Sequence, residues 1–214
     1  MNKWWRERIT DAFHKVFYRF DDQVVWRQAT WMGIPALKCP FDLWVYQEIL
    51  WELRPDLIIE CGTYLGGSAL FLASICDQLG HGQVFTIDIN LSGERPEHPR
   101  IRYWHGSSLE PETIKAVEPL VSPGDTVIVI LDSDHHKNHV LSELQIYSRF
   151  VSLGSYLIVE DTNLNGHPVW PGFGPGPMEA VNEFMKGTDQ FVIDRSREKF
   201  YMTFNPGGYL KRVV

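Results

Sequence analysis

"LIIECGTYLGGSALFLA", Leu57 to Ala73, decides the fold. Its first five residues, apolar apart from Glu60, make a run too short for a helix and closed by glycine, which reads as a buried strand. The part after Gly66-Gly67 reads as a helix that ends at Gly80. Downstream the same alternation continues. Strands are expected at "QVFTIDI" (83–89), "RIRYWHG" (100–106), "DTVIVILD" (125–132) and "SYLIVED" (155–161), and helices at "EPETIKAVEPL" (110–120), "KNHVLSELQIYSRF" (137–150) and "PMEAVNEFM" (177–185). Strands alternating with helices imply a parallel sheet covered on both faces. Two last strands, "QFVID" (190–194) and "KFYMTFN" (199–205), are separated only by "RSRE", too short for a crossover, so they must pair antiparallel. The expectation is an α/β fold with a doubly wound seven-stranded sheet: five parallel strands plus an antiparallel C-terminal hairpin. No internal repeat is visible.

Upstream, "GIPALKCP" (33–40) is a Pro/Gly-punctuated linker. Before it, Trp5, Ile9, Phe13, Val16 and Phe20 recur at steps of three and four, one face of an amphipathic helix. Residues 1–30 are therefore expected to form an N-terminal helical arm ahead of a domain at 31–214. The apolar face of the arm either packs on that domain, or serves a dimer interface or covers the active site; a homo-oligomer is expected.

The 214 residues allow one domain plus an arm, and 44% hydrophobic with 22% charged residues is ordinary for a globular chain. A net charge of -7 argues against nucleic acid, which needs a basic face. No apolar run reaches the roughly 18–20 residues of a membrane span. "MNKWWRERITDAF" interrupts its apolar residues with charges, unlike a signal peptide. Cys39, Cys61 and Cys76 lack metal-type spacing and read as reduced core thiols, which with the foregoing points to the cytoplasm.

In open α/β sheets, ligands bind at the carboxyl ends of the strands. The first such turn carries Glu60, Gly62, Thr63, Tyr64, Gly66, Gly67 and Ser68, without the G-x-G-x-x-G or phosphate-loop spacing of nucleotide binders. Glu60 suits a cationic ligand group and would repel a pyrophosphate. Asp88 ends the second strand, where a carboxylate can accept both ribose hydroxyls. Ser107 and Ser108 end the third, where an adenine edge would lie. A cation, a ribose and an adenine together describe S-adenosylmethionine (SAM).

"E-C-G-T-Y-L-G-G-S" resembles the first motif of catechol-type class I O-methyltransferases. The wider chain is similar to the cephalosporin hydroxylase-like family, through "W-M-G-I-P-A-L-K-C-P-F-D", "L-D-S-D-H", "V-E-D-T-N", "F-G-P-G-P-M-E-A-V-N-E-F" and "T-F-N-P-G-G-Y-L-K-R". The match spans nearly everything after residue 30. It implies the class I SAM-methyltransferase (Rossmann-like) fold, methyl transfer in place of hydroxylation, and a divalent metal.

Asp134 follows the fourth strand, and Glu160 and Asp161 follow the fifth. Carboxylates converging there would repel one another unless a cation neutralised them, and oxygen ligands suit Mg²⁺, or Mn²⁺ in its place. Asp134, Glu160 and Asp161 are thus the expected metal ligands. Asp132 is the rival, assigned beside the cofactor, and Asp134 has the alternative of being a helix cap. In "D-H-H-K" the resemblance makes Lys137 a general base, and His135 is the second candidate catalytic group. His135, His136 and His139 could also be solvent-facing or core-satisfied. The loop "NGHPVWPGFGPGP" (165–177) is expected to cover the acceptor with His167 and Trp170; packing or oligomer contacts alone are the alternative. The leading reading is a Mg-dependent O-methyltransferase acting on a hydroxyl of a small molecule or glycosyl unit. An Fe(II) oxygenase using a facial triad from "DHHKNH", or a SAM-binding accessory subunit without turnover, are the competing ones.

Overall fold

The computed structural model describes residues 2–18, 25–90 and 92–214. Helix α1 (Lys3–Phe17) comes first, then a short antiparallel pair, β1 (Thr30–Trp31) and β2 (Ile34–Pro35), and helix α2 (Pro40–Leu53). The alternating part follows: β3 (Leu57–Cys61), α3 (Gly67–Leu79), β4 (Gln83–Asp88), β5 (Ile101–His105), α4 (Pro111–Val117), β6 (Val127–Leu131), α5 (Lys137–Tyr147), β7 (Tyr156–Val159), α6 (Pro177–Phe184), β8 (Phe191–Ile193) and β9 (Tyr209–Arg212). The seven-stranded sheet has the order β5-β4-β3-β6-β7-β9-β8, with β9 antiparallel to both its neighbours and the other pairs parallel.

The strand period of two divides the core between the sheet faces. Ile59, Val129 and Leu157 point toward α5 and α6, packing with Val140, Leu144 and Val181. Ile58, Ile128 and Ile158 point the other way, onto Ile49, Leu50 and Leu72 of α2 and α3. Strands β3, β6 and β7 are buried throughout, which is why they read as unbroken apolar runs. Cys39, Cys61 and Cys76 are buried and unpaired.

Besides the short β1–β2 pair, which reaches into the stretch expected as linker, two elements differ from the sequence reading. Helix α2 was passed over because its buried residues (Val45, Tyr46, Ile49, Leu50) are interleaved with exposed Trp44 and Trp51, which hides the one-sided periodicity. The last strand is Tyr209–Arg212, not 199–205. Met202 and Phe204 instead enter a third core cluster with Tyr18, Cys39, Leu164 and Val169. Asp42 on α2 holds that segment by accepting the Phe204 N–H at 2.8 Å and the Thr203 hydroxyl. The chain then turns at Asn205–Gly208, where a Cβ on Gly208 would lie 2.2 Å from the Val159 carbonyl, and only then enters the sheet.

Helix α1 docks by its polar side. His14 is buried, stacked on Phe204 with ring centroids 5.6 Å apart, and its Nε2 lies 2.9 Å from the Asn163 amide. The expected apolar stripe points outward instead: Trp5, Ile9, Phe13 and Val16 are all more than half exposed. Phe20, its last expected member, lies outside the described residues. Among the described residues no helix is long and apolar enough to cross a membrane.

Candidate active site

The chain enters the sheet at β3, winds outward through β4 and β5, then returns to β6 on the other side of β3. The strand ends at this reversal leave a crevice. A cleft of about 870 Å³ occupies it, walled by the turn at Gly62–Leu65, Asp88, Ser107, Ser108, Asp132, His135 and Asp161. Gly62 has φ +100°, and a Cβ there would lie 1.9 Å from the Asp132 carbonyl oxygen, so only glycine lets the β3 turn and the β6 end meet. Asp88 braces the turn: its Oδ2 accepts the N–H groups of Thr63 (3.0 Å) and Tyr64 (2.8 Å), and its Oδ1 that of Asn90 (2.8 Å).

Four carboxylates gather under and along one wall. Glu60 is fully buried and accepts the Thr86 hydroxyl at 2.6 Å; burial pushes its pKa up to about 7. Lys38 sends its ammonium to both Asp132 Oδ2 (2.5 Å) and Glu160 Oε1 (2.6 Å). Tyr46 also donates to Glu160, and the Tyr18 hydroxyl reaches Asp161 Oδ1 at 3.4 Å. His135 Nε2 is 3.2 Å from Asp161 Oδ2. Burial raises the pKa values of Asp132, Glu160 and Asp161, with Lys38 opposing it at all three and His135 at both aspartates. One ligand atom each from Asp132, His135 and Asp161 lie within 4.8 Å of one another.

The family model described as "Rhamnosyl O-methyltransferase/CmcI" matches residues 23–213. The chain belongs to this rhamnosyl O-methyltransferase/CmcI family. It is 41% identical to a rhamnosyl O-methyltransferase of Mycobacterium bovis (strain BCG), over 96% of this chain and 86% of that one. A rhamnosyl O-methyltransferase of Mycobacterium leprae (strain TN) is 40% identical, over 96% and 91%. Among solved structures, the Mg–SAM form of CmcI is similar with a TM-score of 0.67 and 25% identity, over 88% of this chain and 78% of that one. A putative caffeoyl-CoA O-methyltransferase from Staphylococcus aureus shares the fold at 16% identity, with a TM-score of 0.54 over 87% of this chain and 84% of that one. The seven-stranded core of the family is thus the class I SAM-methyltransferase fold.

Within this rhamnosyl O-methyltransferase/CmcI frame, the structure places Gly62, Thr63, Tyr64, Ser68, Asp88, Ser107, Ser108 and Asp132 on the cleft wall. Glu60 departs from the expectation: it is fully buried, one residue short of the strand end, and does not line the cleft, although it hydrogen-bonds Ser68, which does. Asp134 is on the wall but outside the acid cluster. It is half exposed, and its Oδ1 accepts the His136 N–H at 2.8 Å and faces His136 Nδ1 at 2.6 Å, a local turn two residues ahead of the helix; the N-cap of α5 is His136, so Asp134 is not the expected cap either. Asp132, two residues earlier and still anchored to the β6 end, takes the place beside Asp161. Glu160 is adjacent, engaged by Lys38 and Tyr46.

Lys137 is not on the wall. As the first residue of α5 it extends toward α6, where its Nζ pairs with Glu183 at 2.6 Å. His167 likewise turns away, to Glu179 at 3.0 Å, whereas Trp170 and Phe173 face the cleft. The three histidines of "DHHKNH" diverge: His136 is exposed and paired with Asp134, and His139 reaches Ser133, Ser108 and Glu143. No two-histidine facial triad forms from them. Sequence reasoning missed Lys38 and Tyr18. Lys38 sat in a segment read as linker, and a lone loop lysine carries no signal of burial.

Proposed function

We propose that this chain transfers the methyl group of SAM to a ring hydroxyl of a glycosyl acceptor of the rhamnosyl type, with a divalent cation, Mg²⁺ or Mn²⁺, at the acid cluster. The observation that carries the reading is the convergence of Asp132, Asp161 and His135 on the edge of a cofactor-sized cleft whose turn is braced by Asp88. Its volume suits a nucleoside-sized ligand plus part of an acceptor. The donor set fits the metal: crowded, partly buried carboxylates with raised pKa values are acids that a hard cation would stabilise. Asp132 and Asp161 would hold it, with Glu160 next to them. When bound, the cation lowers the pKa of a hydroxyl beside it.

The residues divide the remaining work. Asp88 fixes the glycine turn and offers its carboxylate to the ribose; Ser107 and Ser108 line the adenine end. His135, on the wall at the acid cluster with its Nε2 3.2 Å from Asp161 Oδ2, would take the acceptor proton. Trp170, Phe173 and Leu164 cover the acceptor side. Methyl transfer is an in-line displacement, so alignment of hydroxyl and sulfonium is the fold's main contribution. The proposal includes a homo-oligomer, supported by the outward apolar stripe of α1, and a cytoplasmic location, supported by three buried thiols.

The test is incubation of EDTA-stripped protein with SAM and a simple rhamnoside, with and without Mg²⁺. S-adenosylhomocysteine release and a methylated sugar ring are expected only with metal. Full turnover without metal would remove the cation from the reading, and no product with any glycoside would remove the acceptor class.

A further inference from the structure

Lys38 is the least expected member of the site. It lies in the loop before α2, and its side chain is only 3% exposed, so water solvates almost none of its charge. Its ammonium is held by Asp132 at 2.5 Å and Glu160 at 2.6 Å, carboxylates from the ends of two neighbouring strands. A buried charge is tolerated only when paired and hydrogen-bonded, and the same holds for the acids around it. Asp132 is at the same time one of the three residues whose ligand atoms converge within 4.8 Å. A divalent ion entering between Asp132 and Asp161 would therefore come to rest beside an ammonium that already claims one of its ligands. Like charges at that range repel strongly in a desolvated site.

We propose that Lys38 is a resident cation of the acid cluster, which a divalent ion must displace from Asp132 or Glu160 in order to bind. This rests on the metal reading above. In the metal-free protein Lys38 neutralises acids that would otherwise repel one another, so the domain folds without the ion. On metal binding the ammonium gives up one carboxylate, which weakens the site for metal and keeps the ion exchangeable. Lys38 acts through Asp132 and Glu160 and is a positioning residue, not a catalytic one.

Two measurements test it. Isothermal titration of EDTA-stripped protein with Mg²⁺ should show at least tenfold tighter binding in Lys38→Met than in wild type. The metal-free variant should melt lower than wild type and gain more from Mg²⁺. A merely structural lysine would lower both melting temperatures alike and leave the affinity unchanged, and equal or weaker binding overturns the proposal. The second measurement uses the wild type and does not depend on the variant folding. The side-chain ammonium resonance of Lys38 in ¹⁵N-lysine-labelled protein, identified by its loss in Lys38→Arg, should shift as Mg²⁺ is added. A resonance unmoved at saturating Mg²⁺ overturns displacement while leaving the metal reading intact. Wild type that binds neither Mg²⁺ nor Mn²⁺ overturns both.

Discussion

Replacing Asp88 with alanine should damage the protein twice, and the two effects can be separated. The carboxylate accepts three backbone N–H groups, from Thr63, Tyr64 and Asn90, at 2.8–3.0 Å. A typical intramolecular hydrogen bond contributes about 0.5–1.5 kcal/mol net, and these three are partly solvated, so the loss should be about 2–4 kcal/mol. For a chain of this size each kcal/mol moves the melting temperature by about 2–4 °C, which gives a fall of roughly 4–16 °C. Losing the ribose acceptor should cost a further one to two decades in SAM affinity, or about 1.5–3 kcal/mol. Asp88→Asn keeps one acceptor oxygen and should recover much of the stability but less of the affinity. The assay is a thermal melt of each variant with and without saturating SAM, joined to calorimetric titration with SAM. An alanine variant that melts like wild type would refute the bracing role, and one that binds SAM as wild type does would refute the ribose placement.

Three further outcomes follow from the site. His135→Ala should lower kcat by about 10²–10⁴ while Lys137→Ala, which breaks only a half-exposed pair with Glu183, should stay within a few fold; steady-state kinetics on both variants decide between the two bases. Trp170→Ala should raise the acceptor KM and leave SAM affinity nearly intact, since Trp170 lines the cleft from the 165–177 loop and not from the Asp88 turn; equal loss of both would mean the loop is structural. The docking of α1 should be acid-sensitive: burial lowers the His14 pKa to about 4, below its ordinary value of about 6.5. The undocked form takes the proton first, so docking is at full strength above about pH 6.5 and loses up to about 3 kcal/mol as pH falls toward 4. Hydrogen exchange in 3–17 should quicken over that window in wild type and not in His14→Phe.

The α/β alternation, six of the seven strands and the cofactor end of the sheet were legible in the sequence because each rests on a local signal. Buried parallel strands are short apolar runs, and a glycine turn with Asp88 some 20 residues beyond it follows from the chirality and length of one strand–helix–strand unit. Where the signal was local but ambiguous, tertiary structure decided. "KFYMTFN" alternates like a strand, yet Met202 and Phe204 are buried in the cluster under α1, and Tyr209–Arg212 takes the place between β7 and β8. The stripe on α1 has ordinary helical spacing, and only docking through His14 revealed that it faces outward. Which acids meet depended on angles at two strand ends that no spacing encodes: Asp132 and Asp134 differ by two residues, but the β6 end anchors the first and a local turn to His136 captures the second. Lys38 was wholly tertiary. Nothing around it in the chain asks for a buried charge; the demand comes from Asp132 and Glu160, more than 90 residues away in sequence, and charge pairing of that kind exists only once the fold has brought them together.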